Sequence, residues 1–389
     1  MKVDLFDYNL PKEFIAQAPV RPRERAKMLV LDRQKDTIRD LHVSNLTEVL
    51  TPGDLLVFNV TKVRHARVFG RREMNGEIVP VELLVLKPLA EEGQFESLMR
   101  GKHIEIGQRI TFDQNDINAT IIDKLEDGMG RFVIEIENAS TSQFLDYCEK
   151  AGQLPLPPYI NNPQIAGFED ELYQPVVAKE LGSVAAPTAS LHFSDSLIRD
   201  LHMRGIKTAE VILHVGLGTF IPVRVEDTKD HVMHSETIQV TDELINKIRA
   251  TKSSGGRVIA VGTTVARALE SAYYFSHCEE SAERMTKQFE SRSDSCKILK
   301  DQIATTRHGG SRNDTFQLKP YSGETNLFIT PGYQFKVIDG LLTNFHMPKS
   351  TLLMMVSAFI SREKLFELYD HALISNYRFL SFGDCMFLL

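Results

Sequence analysis

Gly182–Phe193 reads GSVAAPTASLHF, and after an amphipathic segment the apolar run Thr208–Val215 leads into Gly216-Leu217-Gly218-Thr219-Phe220. This stretch decides the fold. Gly182–Ser190 is nearly all small residues with one proline, so it buries little apolar surface but lets its backbone approach a ligand closely. His192 follows directly. Ser194-Asp195-Ser196 offers N-caps for a helix over Leu197–Met203, which Gly205 ends. Ala209–Val215 then reads as a buried strand with His214 near its end, and Gly216–Thr219 as a tight polar exit. Ligands of open α/β sheets sit outside the carboxyl ends of strands. Two histidines and two glycine-rich turns are therefore expected at one cleft. The competing reading is two ordinary loops around two satisfied histidines.

The whole chain bounds that reading. Its 389 residues exceed what a single core usually organises, so two domains are expected. Hydrophobic content of 42% and charged content of 25% are those of a soluble globular protein. A formal charge of −7 gives no global nucleic-acid signature, so such binding needs a local patch. Cys148, Cys278, Cys296 and Cys385 are scattered without a CxxC pair, which argues against a zinc cluster or disulfide scaffold and suits a cytoplasmic location. The opening MKVDLFDYNL places acids where a signal peptide needs an apolar core, and no long apolar run predicts a membrane span.

Towards the N-terminus, Met28–Leu31 and Leu55–Asn59 read as buried strands, with Leu41–Leu50 a short helix between them. From Arg64 the texture changes. Arg67–Arg71, Glu77–Leu86, Phe95–Arg100, Arg109–Phe112, Asn118–Leu125 and Arg131–Ile136 are short alternating runs, most of them separated by glycine-containing turns. They predict a small all-β, barrel-like domain over 64–138, inserted between the first part (1–63) and second part (139–389) of a large α/β domain. Lys62, Arg64, Arg67, Arg71 and Arg72 crowd positive charge at its start, as a solvated strand face or a phosphate contact. Ser142–Lys150 reads as a helix, and the proline-rich Leu154–Tyr159 as a rigid connector.

Towards the C-terminus, Asp230–Glu236 gathers His231 and His234 with acids but offers no third metal ligand at a recognisable spacing, so no metal is expected. Arg257–Val261 is a buried strand, and Gly262-Thr263-Thr264 opens the helix Val265–Tyr274 with an anion-friendly N-terminus. Without GxGxxG or a Walker A lysine, dinucleotide and P-loop readings are weak. Residues 275–322 read as a polar surface insert, with a surface helix over Ser276–Lys300 and a loop over Thr305–Asp314. Leu327–Thr330 is a strand, Val337–Leu342 an apolar run, and Thr343–Ser350 another polar strand exit. Ser350–Ser361 and Phe366–Ile374 are helices.

GSVAAPTASLHF, LHVGLGTF, PVRVED with HVMHSE, AVGTT, ITPGYQFKVIDGLLTNFHMPKSTLLMMVSAF and YRFLSFGD stand here in one order. That set, with PGDLLVFN and LPLPPYI, resembles the S-adenosylmethionine:tRNA ribosyltransferase-isomerase family of queuosine biosynthesis. The resemblance covers nearly the full length apart from most of 275–322 and much of the β insertion. It implies a large α/β domain with an inserted β-barrel. It also implies transfer and isomerisation of the ribosyl part of S-adenosylmethionine onto 7-aminomethyl-7-deazaguanine in tRNA. The products are epoxyqueuosine in tRNA, adenine and methionine. Partners are then tRNA and S-adenosylmethionine, the latter a substrate, with no separate cofactor, no metal and no membrane. A monomer with at most weak self-association is expected.

The residue types suit that chemistry. A sulfonium acidifies the neighbouring ribose carbon, so a positioned base can start the reaction, and His192 and His214 are the catalytic candidates. Thr188, Thr263, Asn344 and His346 suit ribose hydroxyls or the adenine edge, and Tyr333 joins them as a substrate-binding candidate. Arg267 and Arg378 suit the methionine carboxylate or tRNA phosphate. Lys62, Arg64, Arg67, Arg71 and Arg72 are the tRNA-binding candidates. The chain departs from the family pattern at Val60, Lys62, Arg64, His65 and Ser190, and Arg-to-Lys at position 62 loses a bidentate fork. A paralogue with a changed substrate, or a tRNA-binding module without catalysis, are the alternatives.

Overall fold

The computed structural model describes residues 1–74, 76–112, 117–125, 129–165, 167–216, 218, 223–288 and 318–389, with side chains in the helix that ends at 288 described to Ser276. Most of the expected polar insert, the loop at 305–314 included, lies outside the described residues, as do Leu217, Thr219 and Phe220.

Strands β1 (Lys27–Asp32), β2 (Thr37–His42) and β3 (Leu55–Asn59) open the chain. A short β4 (Thr61–Val63) pairs in parallel with β11 (Glu180–Ser183). Between them lie β5 (Arg67–Met74), β6 (Glu77–Pro88), β7 (Gln94–Arg100), β8 (Arg109–Phe112), β9 (Asn118–Lys124) and β10 (Arg131–Ile136), which close an antiparallel barrel. Then come β12 (Lys207–Leu213), β13 (Glu236–Val240), β14 (Val258–Val261), β15 (Tyr321–Thr325), β16 (Gly340–Asn344) and β17 (Cys385–Leu388). The large sheet runs β15-β13-β12-β3-β14-β16-β17-β1-β2. Its centre, β12-β3-β14-β16, is all parallel, with Val57 of β3 opposite Ala209 and Ala260.

Burial on both faces explains why these strands are continuous apolar runs. Leu29, Leu31, Leu55 and Val57 face one core with the helix Thr263–Gln288, while Met28, Val30, Leu56 and Phe58 face another with the helix Asp195–Met203. Ser194 and Ser350 cap their helices as expected, each accepting at 3.2 Å from a backbone N–H of the first turn.

Three expectations need correction. The helix Thr141–Ala151 buries Phe144, Tyr147 and Cys148 in the barrel core, so a boundary at 138 separates the barrel from its own helix. Leu327–Thr330 is not a strand; the edge strand is β15, six residues earlier, pairing Glu324 with Thr237. The polar insert is narrower than 275–322. Ser276 is buried and accepts from Lys319 N–H at 2.9 Å, and Leu318 is fully buried.

Candidate active site

Parallel strands end on one side of a sheet. The carboxyl ends of β12, β3, β14 and β16 therefore share an edge, and the polar exits read from the sequence meet there. Val215 follows β12, Gly262–Thr264 follow β14, and Thr343–Met347 end β16. Pro187, Thr188 and Ala189, from the small-residue stretch, form the facing wall of one pocket. Thr188, Thr263, Asn344 and His346 all line it. So do Tyr159, Thr264 and Ser381, none of which the sequence reading named as site residues. Tyr159 ends the proline-rich segment and bonds Ser381 Oγ at 2.7 Å, which joins that segment to the C-terminal turn.

Asn344 is held on three sides. Its Nδ2 donates to the carbonyls of Leu380 (2.9 Å) and Ser381 (3.3 Å), which leaves Oδ1 to accept from His192 Nε2 at 3.3 Å. His192 thus carries its proton on Nε2 and stands behind Asn344, in a recess with Pro19, Arg23 and Phe382 rather than on the pocket wall. Burial pushes its pKa down to about 4. His346 is on the wall, with Nε2 2.8 Å from Thr343 Oγ1, and burial pushes it down to about 3. Both imidazoles are neutral at physiological pH.

His214 sits differently. It immediately precedes Val215 of the pocket wall and is half-buried. Burial lowers its pKa, the nearby positive charge of Arg64 lowers it further, and Glu180 opposes both. Its Nδ1 is buried without a hydrogen-bond partner. The ring packs against Gly182, where a Cβ would meet it at 2.6 Å, so only glycine fits there.

The two arginines expected at an anion are committed elsewhere. Arg267, 2% exposed, is ion-paired to the buried Glu236, whose other oxygen accepts Gly216 N–H at 3.2 Å. Arg378 pairs with Asp384 and donates to Ala18 O. Tyr333 is likewise off the pocket. Its hydroxyl donates to Glu270, which also accepts the N–H groups of Lys336, Val337 and Ile338. Burial raises the Glu270 pKa despite those donors.

The basic cluster separates into different environments. Arg72 is a correction: at 2% exposure it points into the barrel and donates to His103 O, so it presents nothing to a phosphate. Arg67 forms a bidentate pair with Glu82 at 2.8 and 3.1 Å, and Arg64 lies 3.7 Å from Glu149. Lys62 and Arg71 are exposed. A wide groove between barrel and sheet domain is lined by Arg67, Arg100 and Arg224 over a floor of Leu84, Leu156, Pro157 and Ile160. Among the described residues no group of three or more His, Cys, Asp or Glu could hold a metal.

Residues 3–388 match the family model described as "Queuosine biosynthesis protein". An S-adenosylmethionine:tRNA ribosyltransferase-isomerase of Stenotrophomonas maltophilia (strain R551-3) is 42% identical over 390 residues, which span 100% of this chain and 98% of that protein. The protein of the same name from Halothermothrix orenii (strain H 168) is 42% identical over 391 residues, 100% of both. A crystal structure of an S-adenosylmethionine tRNA ribosyltransferase from Thermotoga maritima is 31% identical, with 99% of this chain and 100% of that one covered and a TM-score of 0.49.

Proposed function

This chain belongs to the queuosine biosynthesis protein family, and we propose that its chemistry runs in the pocket at the carboxyl ends of β12, β3, β14 and β16. It is a transferase-isomerase that moves the ribosyl moiety of S-adenosylmethionine onto tRNA and isomerises it. The acceptor is 7-aminomethyl-7-deazaguanine, and epoxyqueuosine in tRNA, adenine and methionine are the products. The observation that supports this placement is that Thr188, Thr263, Asn344 and His346, from three separated segments, line one pocket.

His214 is the acid–base residue in this proposal. A base must be neutral at working pH, and burial with Arg64 keeps it so. It takes the proton from the ribose carbon beside the sulfonium, and the imidazolium so formed returns it to the departing adenine. Asn344 and His346 hold the adenine edge and ribose as neutral hydrogen-bonding groups. His192 is a positioning residue acting through Asn344. The sulfonium supplies the activation, so no separate cofactor enters the scheme. The tRNA backbone follows the groove of Arg100 and Arg224, with Lys62 and Arg71 beside the barrel. The chain works as a monomer in the cytoplasm; no described helix is long and apolar enough to cross a membrane.

The test is to incubate the protein with tRNA bearing 7-aminomethyl-7-deazaguanine and S-adenosylmethionine labelled in the ribose or the methyl group. Ribose label in tRNA, with free adenine and methionine, is expected. Methyl label in tRNA, or binding with no transfer, refutes the reading.

A further inference from the structure

A helix that starts directly after a buried strand turns its first N–H groups towards whatever lies beyond the strand. β14 ends at Val261 and the helix begins at Thr263. Gly262 between them has φ +102° and no side chain to cap the helix. Its own N–H is used by Leu342 O at 2.8 Å, and Ala266 N–H returns to Gly262 O at 3.2 Å. Among the described residues the N–H groups of Thr263, Thr264 and Val265 find no acceptor. A second observation points the same way. Thr264 lines the pocket and is only 6% exposed, and its Oγ1 is buried without a hydrogen-bond partner. A protein pairs its buried hydroxyls, so one left open beside open N–H groups marks a place for an acceptor.

The wall around these donors carries no Asp or Glu to repel an anion. Val215, Met347 and Leu352 give it an apolar side as well. We propose that this helix terminus is the subsite for the carboxylate of the methionyl moiety of S-adenosylmethionine. The apolar side takes the methylenes and sulfonium methyl. This rests on the function proposed above, and it replaces the arginines that the carboxylate was expected to use. Arg267 is neutralised by Glu236, and Arg378 by Asp384. A phosphate could use the same donors, so the test separates the two sources.

The experiment is titration calorimetry on the full chain with S-adenosylmethionine and its decarboxylated analogue, for the unsubstituted protein, Thr264→Val and Thr264→Ser. Charge-assisted hydrogen bonds predict a preference of about tenfold or more for the carboxylate-bearing ligand. Thr264→Val should shrink that preference by weakening S-adenosylmethionine alone, Thr264→Ser should restore it, and tRNA affinity should not change. Equal binding of both ligands overturns the proposal, as does a Thr264→Val loss shared equally by both. Weaker tRNA binding with the preference intact assigns the donors to a phosphate and also overturns it. Failure of the unsubstituted protein to bind S-adenosylmethionine at all removes the functional reading, and the subsite with it.

Discussion

Single side chains divide this site by proton affinity. His192 and His346 are buried, and desolvation holds their pKa at about 4 and about 3, below the unfolded value of about 6.5. A depressed histidine favours folding above the unfolded pKa and withdraws that support as pH falls towards the folded value. Between pH 6.5 and 5 each should cost about 2 kcal/mol of stability. Denaturant melts should show that decline, and His192→Gln or His346→Gln should flatten it; an unchanged slope would mean neither ring is held neutral. His214 answers to Arg64. Replacing that charge in Arg64→Gln should raise the His214 pKa and move the acid limb of kcat to higher pH at saturating substrates. A limb that stays in place would separate His214 from the proton transfer. What the sequence showed at this scale was residue type and proximity along the chain. Which imidazole faces the pocket depended on the side chains packed around each, and no spacing reveals that. Arg72 was legible and overlooked: it follows Val68 and Gly70 at period two, so it shares their inward face.

Elements were easier to read where burial is two-sided or alternation is strict. β3 and all six barrel strands lie where apolar runs and alternation put them, within a few residues at the ends. β17 escaped because four apolar residues at a chain end carry no periodicity, although it stands in mid-sheet between β16 and β1. β15 escaped because its run, YSGET, is polar and pairs only as an edge. Contacts between elements were not legible at all. The Glu236–Arg267 pair joins β13 to the helix Thr263–Gln288 and, through Gly216 N–H, to the loop after His214. Breaking one half leaves a buried charge, so Arg267→Met should lower unfolding free energy by about 3–5 kcal/mol, with partial recovery in Arg267→Met/Glu236→Gln. A loss under about 1 kcal/mol by urea melts would show that the pair does not hold these elements together. The cut that spares the fold is also set by contacts. Replacing 276–319 removes Ser276 and Leu318 from the core and should abolish soluble protein, whereas a linker over 279–316 should not; soluble expression of the two variants decides it.

At the scale of the whole molecule, the inserted barrel stands against the sheet domain across a groove lined by Arg67, Arg100 and Arg224 together with Glu82 and Glu169, so within an acidic chain the arginines Arg100 and Arg224 are left for a phosphate backbone. A net charge of −7 says nothing of such local arrangements, because it averages over the surface. Each true phosphate contact removed should flatten the salt dependence of tRNA binding by roughly 0.7–0.9 in the log–log slope. Lys62→Gln and Arg224→Gln should each do so, and Arg72→Gln, buried in the barrel, should leave the slope alone; the opposite pattern would relocate the tRNA. The central claim concerns place: the ends of β12, β14 and β16 and the small-residue stretch form one pocket, where the ribosyl group is proposed to move. A crystal structure with bound S-adenosylmethionine tests it most directly. The account predicts the nucleoside between Thr188 and Asn344, with its methionyl carboxylate at Thr263–Thr264. Density for that ligand in the recess beside Arg23 and His192, or in the barrel groove with the pocket empty, would contradict it.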